Sequence, residues 1–208
     1  MKLTKLLERL DYKVVTGSDN IEITELVNDS RKVVPGSVFV CISGAVSDGH
    51  QYVKDVAERG AAAVIVEKDV EVPEGLTVIK VENTRYALAL MSAAYFGYPA
   101  EKLKTIGITG TKGKTTTTYM VKAILEEVGH KVGLIGTIEA IIGDKTIPSN
   151  NTTPESYTIQ KYFAQMVEAG CDCVVMEVSS QGLMLHRTAG IMFDIGIFTN
   201  LGEDHIGP

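Results

Sequence analysis

The sequence predicts an α/β fold in two parts: a small α/β N-terminal domain over residues 1–99, then a phosphate-loop domain with a mostly parallel sheet over 100–208. Three observations predict it. Short apolar strand-like runs alternate with helix-length segments, the order that builds parallel sheets. Two of those runs, Ala61-Ala-Ala-Val-Ile-Val66 and Asp172-Cys-Val-Val-Met-Glu-Val178, are apolar almost throughout, as strands buried on both faces are. Finally, Gly107-Ile-Thr-Gly-Thr-Lys-Gly-Lys-Thr115 lies between a strand and a helix. A glycine-rich loop there aims backbone N–H groups and a helix N-terminus at one point, which attracts anions.

The elements follow in order. Residues 2–9 have the pattern of a short helix, and 23–28 and 37–42 those of strands, joined through the turn Val34-Pro35-Gly36-Ser37. A helix over 50–59 is closed by Gly60. Strands follow at 61–66 and 77–81. Asn83 can cap a helix running to about Phe96, where Gly97-Tyr98-Pro99 stops it and marks the domain boundary. In the second part a strand over 103–108 enters the glycine loop, and a helix leaves it from Thr115 to about Glu127, with Gly129 as its C-cap. Then come a strand at 131–135, a hairpin of 138–142 and 145–148 turning at Gly143-Asp144, a helix over 155–169 ended by Gly170, and strands at 172–178 and 193–199. The chain stops at Asp204-His-Ile-Gly-Pro208, directly after a strand and a polar cluster, so the second domain is expected to be incomplete.

Composition narrows the function classes. An apolar fraction of 45% with 22% charged residues is that of an ordinary globular protein. A net charge of −6 argues against non-specific nucleic-acid binding, which needs a basic face. No apolar run approaches the roughly 20 residues that cross a bilayer. The first ten residues lack the apolar core and cleavage site of a signal peptide, so a cytoplasmic location is expected. Cys171-Asp-Cys173 has the wrong spacing for a redox or zinc pair; with Cys41, these read as buried reduced thiols.

Ligands of parallel sheets bind outside the carboxyl ends of the strands, and the polar residues of the second half fall there. Lys114 suits the β- and γ-phosphates of a nucleotide, and the Thr115 hydroxyl suits Mg²⁺. Glu177 sits inside an apolar strand, where a carboxylate is costly unless paired or metal-bound. Thr199-Asn200 and Glu203-Asp204-His205 follow the last strand. Asn151-Thr-Thr-Pro154 reads as a helix N-cap with Pro154 at the first helical position, an N-terminus that can also hold an anion. Arg187 can clamp a carboxylate or stand as a surface charge. In the first domain, 28–31 and 43–50 are loops at strand ends that read equally as a small-ligand site or as ordinary surface.

The glycine loop departs from the strict phosphate-loop pattern, with Ile108 where a glycine should stand, and in this form it is similar to the T-G-T-x-G-K-T loop of the Mur ligase family. Met176-Glu-Val-Ser-Ser180, Phe198-Thr-Asn-Leu201 and Asp204-His205 match that family's later motifs in order. Asp29-Ser-Arg31, Pro35-Gly36, Asp48-Gly-His50, Asn151-Thr-Thr-Pro154 and Arg187 resemble the subgroup that adds the third amino acid to UDP-N-acetylmuramoyl-L-alanyl-D-glutamate. The resemblance covers the whole chain. It implies a uridine-diphosphate-binding first domain, a central ATPase domain, and an amino-acid-receiving domain beyond residue 208, without which this stretch alone would be inactive.

The resemblance also implies site roles. Ser30, Gly44, Ala45, Val46 and Ser47 would hold the uridine diphosphate. Gly110, Thr111, Lys112, Gly113, Lys114, Thr115 and Thr116 would hold ATP. Asn151, Thr152, Thr153, Ser179 and Arg187 would hold the muramoyl dipeptide, and Glu177 and His205, with Thr115, would hold Mg²⁺. Lys114, Glu177 and His205 would carry the catalysis, through an acyl phosphate, in a monomer. Two departures stand out: Leu185 occupies a position where the family often has Gln, and Ile206-Gly-Pro208 replaces the usual continuation after Asp204-His205. Whether diaminopimelate or L-lysine is added is not written in these residues. The alternatives are another amide ligase of the family or a non-catalytic nucleotide-binding module on the same fold.

Overall fold

The computed structural model describes residues 1–44 and 47–203. The chain divides into two compact units, Met1–Tyr95 and a second beginning at Phe96. The first contains α1 (Leu3–Leu6), β1 (Lys13–Thr16), β2 (Leu26–Val27), β3 (Val38–Val40), α2 (Val53–Glu58), β4 (Ala63–Val66), β5 (Thr77–Lys80) and α3 (Thr84–Tyr95). Its sheet runs β1-β5-β4-β3-β2, parallel from β2 to β5, with β1 antiparallel on one edge. The central strands β3 and β4 are buried at every position, in keeping with their apolar sequence. Asn83 caps α3 through its side chain, Oδ1 accepting from the Tyr86 amide at 2.9 Å.

Three elements differ from expectation. β1 was not expected: it is an exposed edge strand with a register irregularity at Val14/Thr16, so it carries no alternating burial for the sequence to display. The first helix is one turn long, 3–6, instead of 2–9, because no side chain caps it and the chain turns after Leu7. The strand expected at 23–28 is reduced to Leu26 and Val27, which pair with β3 at the edge of the sheet.

The second unit contains β6 (Lys104–Thr109), α4 (Lys114–Glu127), β7 (Val132–Ile135), β8 (Glu139–Ile142), β9 (Lys145–Pro148), α5 (Ser156–Glu168), β10 (Cys173–Glu177), α6 (Ser180–Met184) and β11 (Ile195–Phe198). The sheet order is β11-β6-β10-β7-β8-β9, with β11, β6, β10 and β7 parallel and the β8–β9 hairpin antiparallel. α5 presents Ile159, Phe163 and Met166, a helical spacing, to the core beside Val174 and Met176. In register, Glu177 lies opposite Ile108, and so does Ile197 on the other side. The carboxyl ends of β6, β10 and β11 therefore open onto the same edge.

One local expectation is corrected. Pro154 is not the first residue of a helix capped by the preceding threonines. α5 starts at Ser156, Glu155 occupies the N-cap, and no side chain caps it. The Thr153 hydroxyl is committed elsewhere, donating to the Glu177 carbonyl at 2.9 Å and accepting from the Ser179 amide at 2.9 Å. Tertiary hydrogen bonds outcompete the local cap. Cys41, Cys171 and Cys173 are all free and buried, as expected. Among the described residues, no helix is long and apolar enough to cross a membrane.

Candidate active site

The site begins with the turn from β6 into α4. Gly110 has φ 132°, and a side chain there would meet Thr199 Oγ1 at 2.2 Å. Gly113 has φ 84° and forms the N-cap of α4. The loop can adopt these conformations because glycine tolerates positive φ. By helix geometry, the first amides of α4 at Lys114, Thr115 and Thr116 have no intrahelical acceptor. Lys114 is half-buried and folds over the loop, its Nζ donating to Gly110 O at 2.7 Å and Thr111 O at 3.2 Å.

The end of β11 straps the loop from one side. Asn200 accepts from the Thr111 amide through its carbonyl at 3.0 Å and from the Lys112 amide through Oδ1 at 3.0 Å, and donates from Nδ2 to Lys112 O at 3.0 Å. Thr199 Oγ1 donates to the same Lys112 carbonyl at 2.8 Å.

From the other side, β10 delivers Glu177, which is 1% exposed. Its Oε2 accepts from Thr115 Oγ1 at 3.0 Å and Thr137 Oγ1 at 3.0 Å, and its Oε1 accepts from the Thr137 amide at 2.9 Å. Among the described residues, no Lys, Arg or His is ion-paired with it. A buried carboxylate ringed by neutral donors, with a threonine hydroxyl alongside, is an all-oxygen donor set. That chemistry fits a hard divalent cation such as Mg²⁺. Gly136 leaves room for the carboxylate: a Cβ there would stand 2.5 Å from Glu177 Oε1. Nearby, burial and then the Glu139 carboxylate, which accepts from Tyr119 Oη at 2.7 Å, push the Tyr119 hydroxyl up to about 12.

The 151–153 turn and Arg187 form the opposite wall. Arg187 Nη1 donates to Thr153 O at 2.9 Å, and Nη2 donates to Glu155 Oε1 at 2.5 Å. Ser179 caps α6, its Oγ accepting from the Gly182 amide at 3.0 Å. Together these residues line a cleft of about 940 Å³ that includes Gly110, Lys114, Thr137, Thr152, Ser179 and Arg187. Of the second-unit residues singled out in the sequence, Gly110, Thr111, Lys114, Asn151, Thr152, Thr153, Ser179 and Arg187 line this cleft. Thr115 and Glu177 meet next to the lining residue Thr137, while Lys112 and Thr116 are exposed on the loop and first helical turn. His205 lies outside the described residues.

Gly136, Thr137 and Glu155 were not singled out. Thr137 follows a parallel strand, so the strand-end rule applied to 131–135 would have found it.

In the first unit, the loops after β2 and β3 leave the carboxyl ends of adjacent parallel strands. Ser30 opens a single 3₁₀ turn capped by Asp29, whose carboxyl the bonded Arg31 guanidinium holds at about 2. The Gly44 amide donates to Ser47 O at 2.9 Å, closing the second loop; Ala45 and Val46 lie outside the described residues. Beneath it, Ser43 Oγ donates to Glu67 Oε1 at 2.7 Å, and the Glu67 amide donates to His50 Nε2 at 3.1 Å. His50 Nδ1 lies 2.6 Å from Asp48 Oδ1, and Lys68 Nζ donates to Asp48 Oδ2 at 2.6 Å. Burial opposes the Glu67 charge, but hydrogen bonds from Thr84 and Ser43 outweigh it and keep that carboxyl below its usual range.

The comparisons with known proteins bear on the family and the fold. Residues 22–123 match the Mur ligase family, catalytic domain, and residues 108–208 match the Mur ligase middle domain. The chain belongs to the Mur ligase family. Among its Mur ligase relatives is a Clostridium perfringens protein named UDP-N-acetylmuramoyl-L-alanyl-D-glutamate--2,6-diaminopimelate ligase, 50% identical over 99% of this chain and 43% of the relative. A protein of the same name from Clostridioides difficile is 48% identical over 99% of this chain and 42% of its own length. The chain thus spans less than half the length of these curated relatives. A solved structure bearing that name superposes with a TM-score of 0.81 at 22% identity, covering 100% of this chain and 42% of the other. The MurF ligase from Thermotoga maritima, solved in complex with ADP, superposes over 88% of this chain and 38% of its own at a TM-score of 0.56 and 23% identity. These structures share the fold.

Proposed function

We propose that the full-length protein carrying this chain is an ATP-dependent ligase of peptidoglycan synthesis that joins 2,6-diaminopimelate to UDP-N-acetylmuramoyl-L-alanyl-D-glutamate. The observation that carries the reading is the meeting of Thr115 and Glu177 beside Thr137, which lines the same cleft as Lys114, Thr152 and Arg187. A phosphate cradle beside a hard-cation carboxylate suits nucleotide activation, and Arg187, which is paired with Glu155, lines the same cleft, where an acidic acceptor would exchange for that partner. The names of the relatives at about half identity support the choice of substrates.

In this reading the α4 amides and Lys114 hold the β- and γ-phosphates, and residues 110–116 enclose the nucleotide. Thr115 and Glu177, joined by His205, hold Mg²⁺, which supplies charge neutralisation to the phosphates when bound. A carboxylate oxygen of the D-glutamyl group attacks the γ-phosphorus, the bond to the β-phosphate oxygen breaks, and ADP leaves. The amine of the incoming amino acid then attacks the acyl carbon, phosphate departs, and the nitrogen loses a proton. Asn151, Thr152, Thr153, Ser179 and Arg187 orient the acceptor, and Ser30 with residues 44–47 holds its uridine diphosphate. Transfer of this kind depends on positioning and charge neutralisation, which the loop and Lys114 are placed to supply. The substrates accord with a cytoplasmic enzyme.

The test is phosphate release by the full-length protein given ATP, Mg²⁺, UDP-N-acetylmuramoyl-L-alanyl-D-glutamate and diaminopimelate. Release should require all four and fall by about a hundredfold to a thousandfold in Lys114→Ala, the scale seen on removing a main electrostatic stabiliser. Release that needs no acceptor, that prefers L-lysine, or that persists in Lys114→Ala would overturn the reading.

A further inference from the structure

Thr137 makes three hydrogen bonds that no other residue of the cleft combines. Its amide donates to Glu177 Oε1 at 2.9 Å, and its hydroxyl donates to Glu177 Oε2 at 3.0 Å. The same hydroxyl lies 3.0 Å from Thr152 Oγ1. A hydroxyl has one proton to give. With that of Thr137 directed at the carboxylate, the proton between the two threonines belongs to Thr152. Proton direction is therefore fixed along the chain Thr152 to Thr137 to Glu177, and the Thr152 hydroxyl offers the cleft its lone pairs alone.

We propose that Thr137 is a positioning residue that couples the cation-binding carboxylate to the acceptor wall, and that Thr152 consequently receives a hydrogen bond from an N–H or O–H of the acceptor rather than binding an anionic oxygen. This rests on the ligase reading above and specifies its substrate contact. The tie also works in the opposite direction. Thr153 holds the end of β10 through the Glu177 carbonyl and the Ser179 amide, so the 151–153 turn is fixed to both the backbone and the carboxylate of one residue. A ligand that moves the turn moves the Glu177 carboxylate, and a cation on Glu177 stiffens the turn.

The experiment uses the full-length protein and the variants Thr137→Val, Thr137→Ser and Thr152→Val. ADP affinity is measured by calorimetry with and without Mg²⁺, and kcat and KM for the UDP-linked dipeptide are measured separately. Residues that orient a metal ligand typically change affinity or activity about 10–100-fold. Thr137→Val should thus weaken ADP binding about tenfold with Mg²⁺ and leave it unchanged without, while raising the acceptor KM by a similar factor. Thr137→Ser should restore both to within about threefold, since it returns the hydroxyl. Thr152→Val should raise the acceptor KM and leave Mg²⁺-dependent ADP binding at the wild-type value. Wild-type constants for Thr137→Val, or failure of serine to rescue it, would overturn the coupling. A wild-type acceptor KM for Thr152→Val would overturn the acceptor contact. Should the wild-type protein release no phosphate with this dipeptide, the ligase reading fails, and the ADP titrations still decide the link between Thr137 and Glu177.

Discussion

Gly136→Ala adds one methyl group at a position outside the positive-φ region, so its cost is dominated by space. The added Cβ would stand 2.5 Å from Glu177 Oε1 and 3.3 Å from its Cδ, whereas ordinary contact begins near 3.4 Å. The carboxylate oxygen must retreat by about 0.9 Å. The end of a glutamate side chain is usually free to do so, but here it is 1% exposed and held by Thr115 and twice by Thr137. Retreat breaks at least the bond from the Thr137 amide. A hydrogen bond to a charged group contributes about 1.5–3 kcal/mol, and leaving a buried carboxylate short of a donor adds to the loss. The expected destabilisation is therefore about 2–4 kcal/mol, or a fall in Tm of roughly 5–15 °C for a chain this long. Calorimetry with ADP and Mg²⁺ should show at least about tenfold weaker binding, since the cation carboxylate has moved. Gly113→Ala is the control. Its φ is 84° with nothing within 4 Å of the added Cβ, so it carries a left-handed backbone penalty of about 1–2 kcal/mol, part of which Asn in place of Ala should recover. Wild-type Tm and ADP affinity in Gly136→Ala would refute the claim that Glu177 is held rigidly.

The remaining predictions concern the loop strap and the first unit. Asn200→Ala removes both side-chain bonds to Lys112. These are exposed, so about 1 kcal/mol in all is expected, seen as roughly fivefold weaker ADP binding by calorimetry with little change in Tm; unchanged affinity would mean that the strap does not order the loop. In the first unit, the hydrogen bond from Lys68, and then that from His50, holds the Asp48 carboxyl well below the usual carboxylate range. A depressed folded-state pKa contributes stability that is complete above the unfolded value near 4 and is lost as pH falls below it. Thermal melts should therefore be flat from pH 7 to about 5 and decline below about 4, and Asp48→Asn should make the acid decline shallower. An identical acid limb in that variant would show that Asp48 titrates no differently when folded.

What the sequence made legible follows from where the physical signal resides. Runs such as 173–178 announce buried strands because every position is apolar except one, and the exception, Glu177, announces the chemistry. Turns with positive φ at Gly36, Gly129, Gly143 and Gly170 were readable because glycine is nearly alone in tolerating them. β1 was not readable, since an exposed edge strand has no burial pattern to leave in its residues. The cap at 151–154 was misread for a related reason: Asn-Thr-Thr-Pro satisfies every local rule for a helix start, and only the arrival of β10, more than 20 residues later, diverts Thr153 to Glu177 and Ser179. Thr137 was open to the strand-end rule as the residue that follows β7, but its three bonds exist only once β10 lies beside β7 and the 151–153 turn arrives. Local chemistry thus located the phosphate loop and its carboxylate, whereas the residues that hold them in register belong to pairings between strands. Second-rank positions such as Gly136 and Thr137 are accordingly where a substitution that looks harmless in the sequence should cost most.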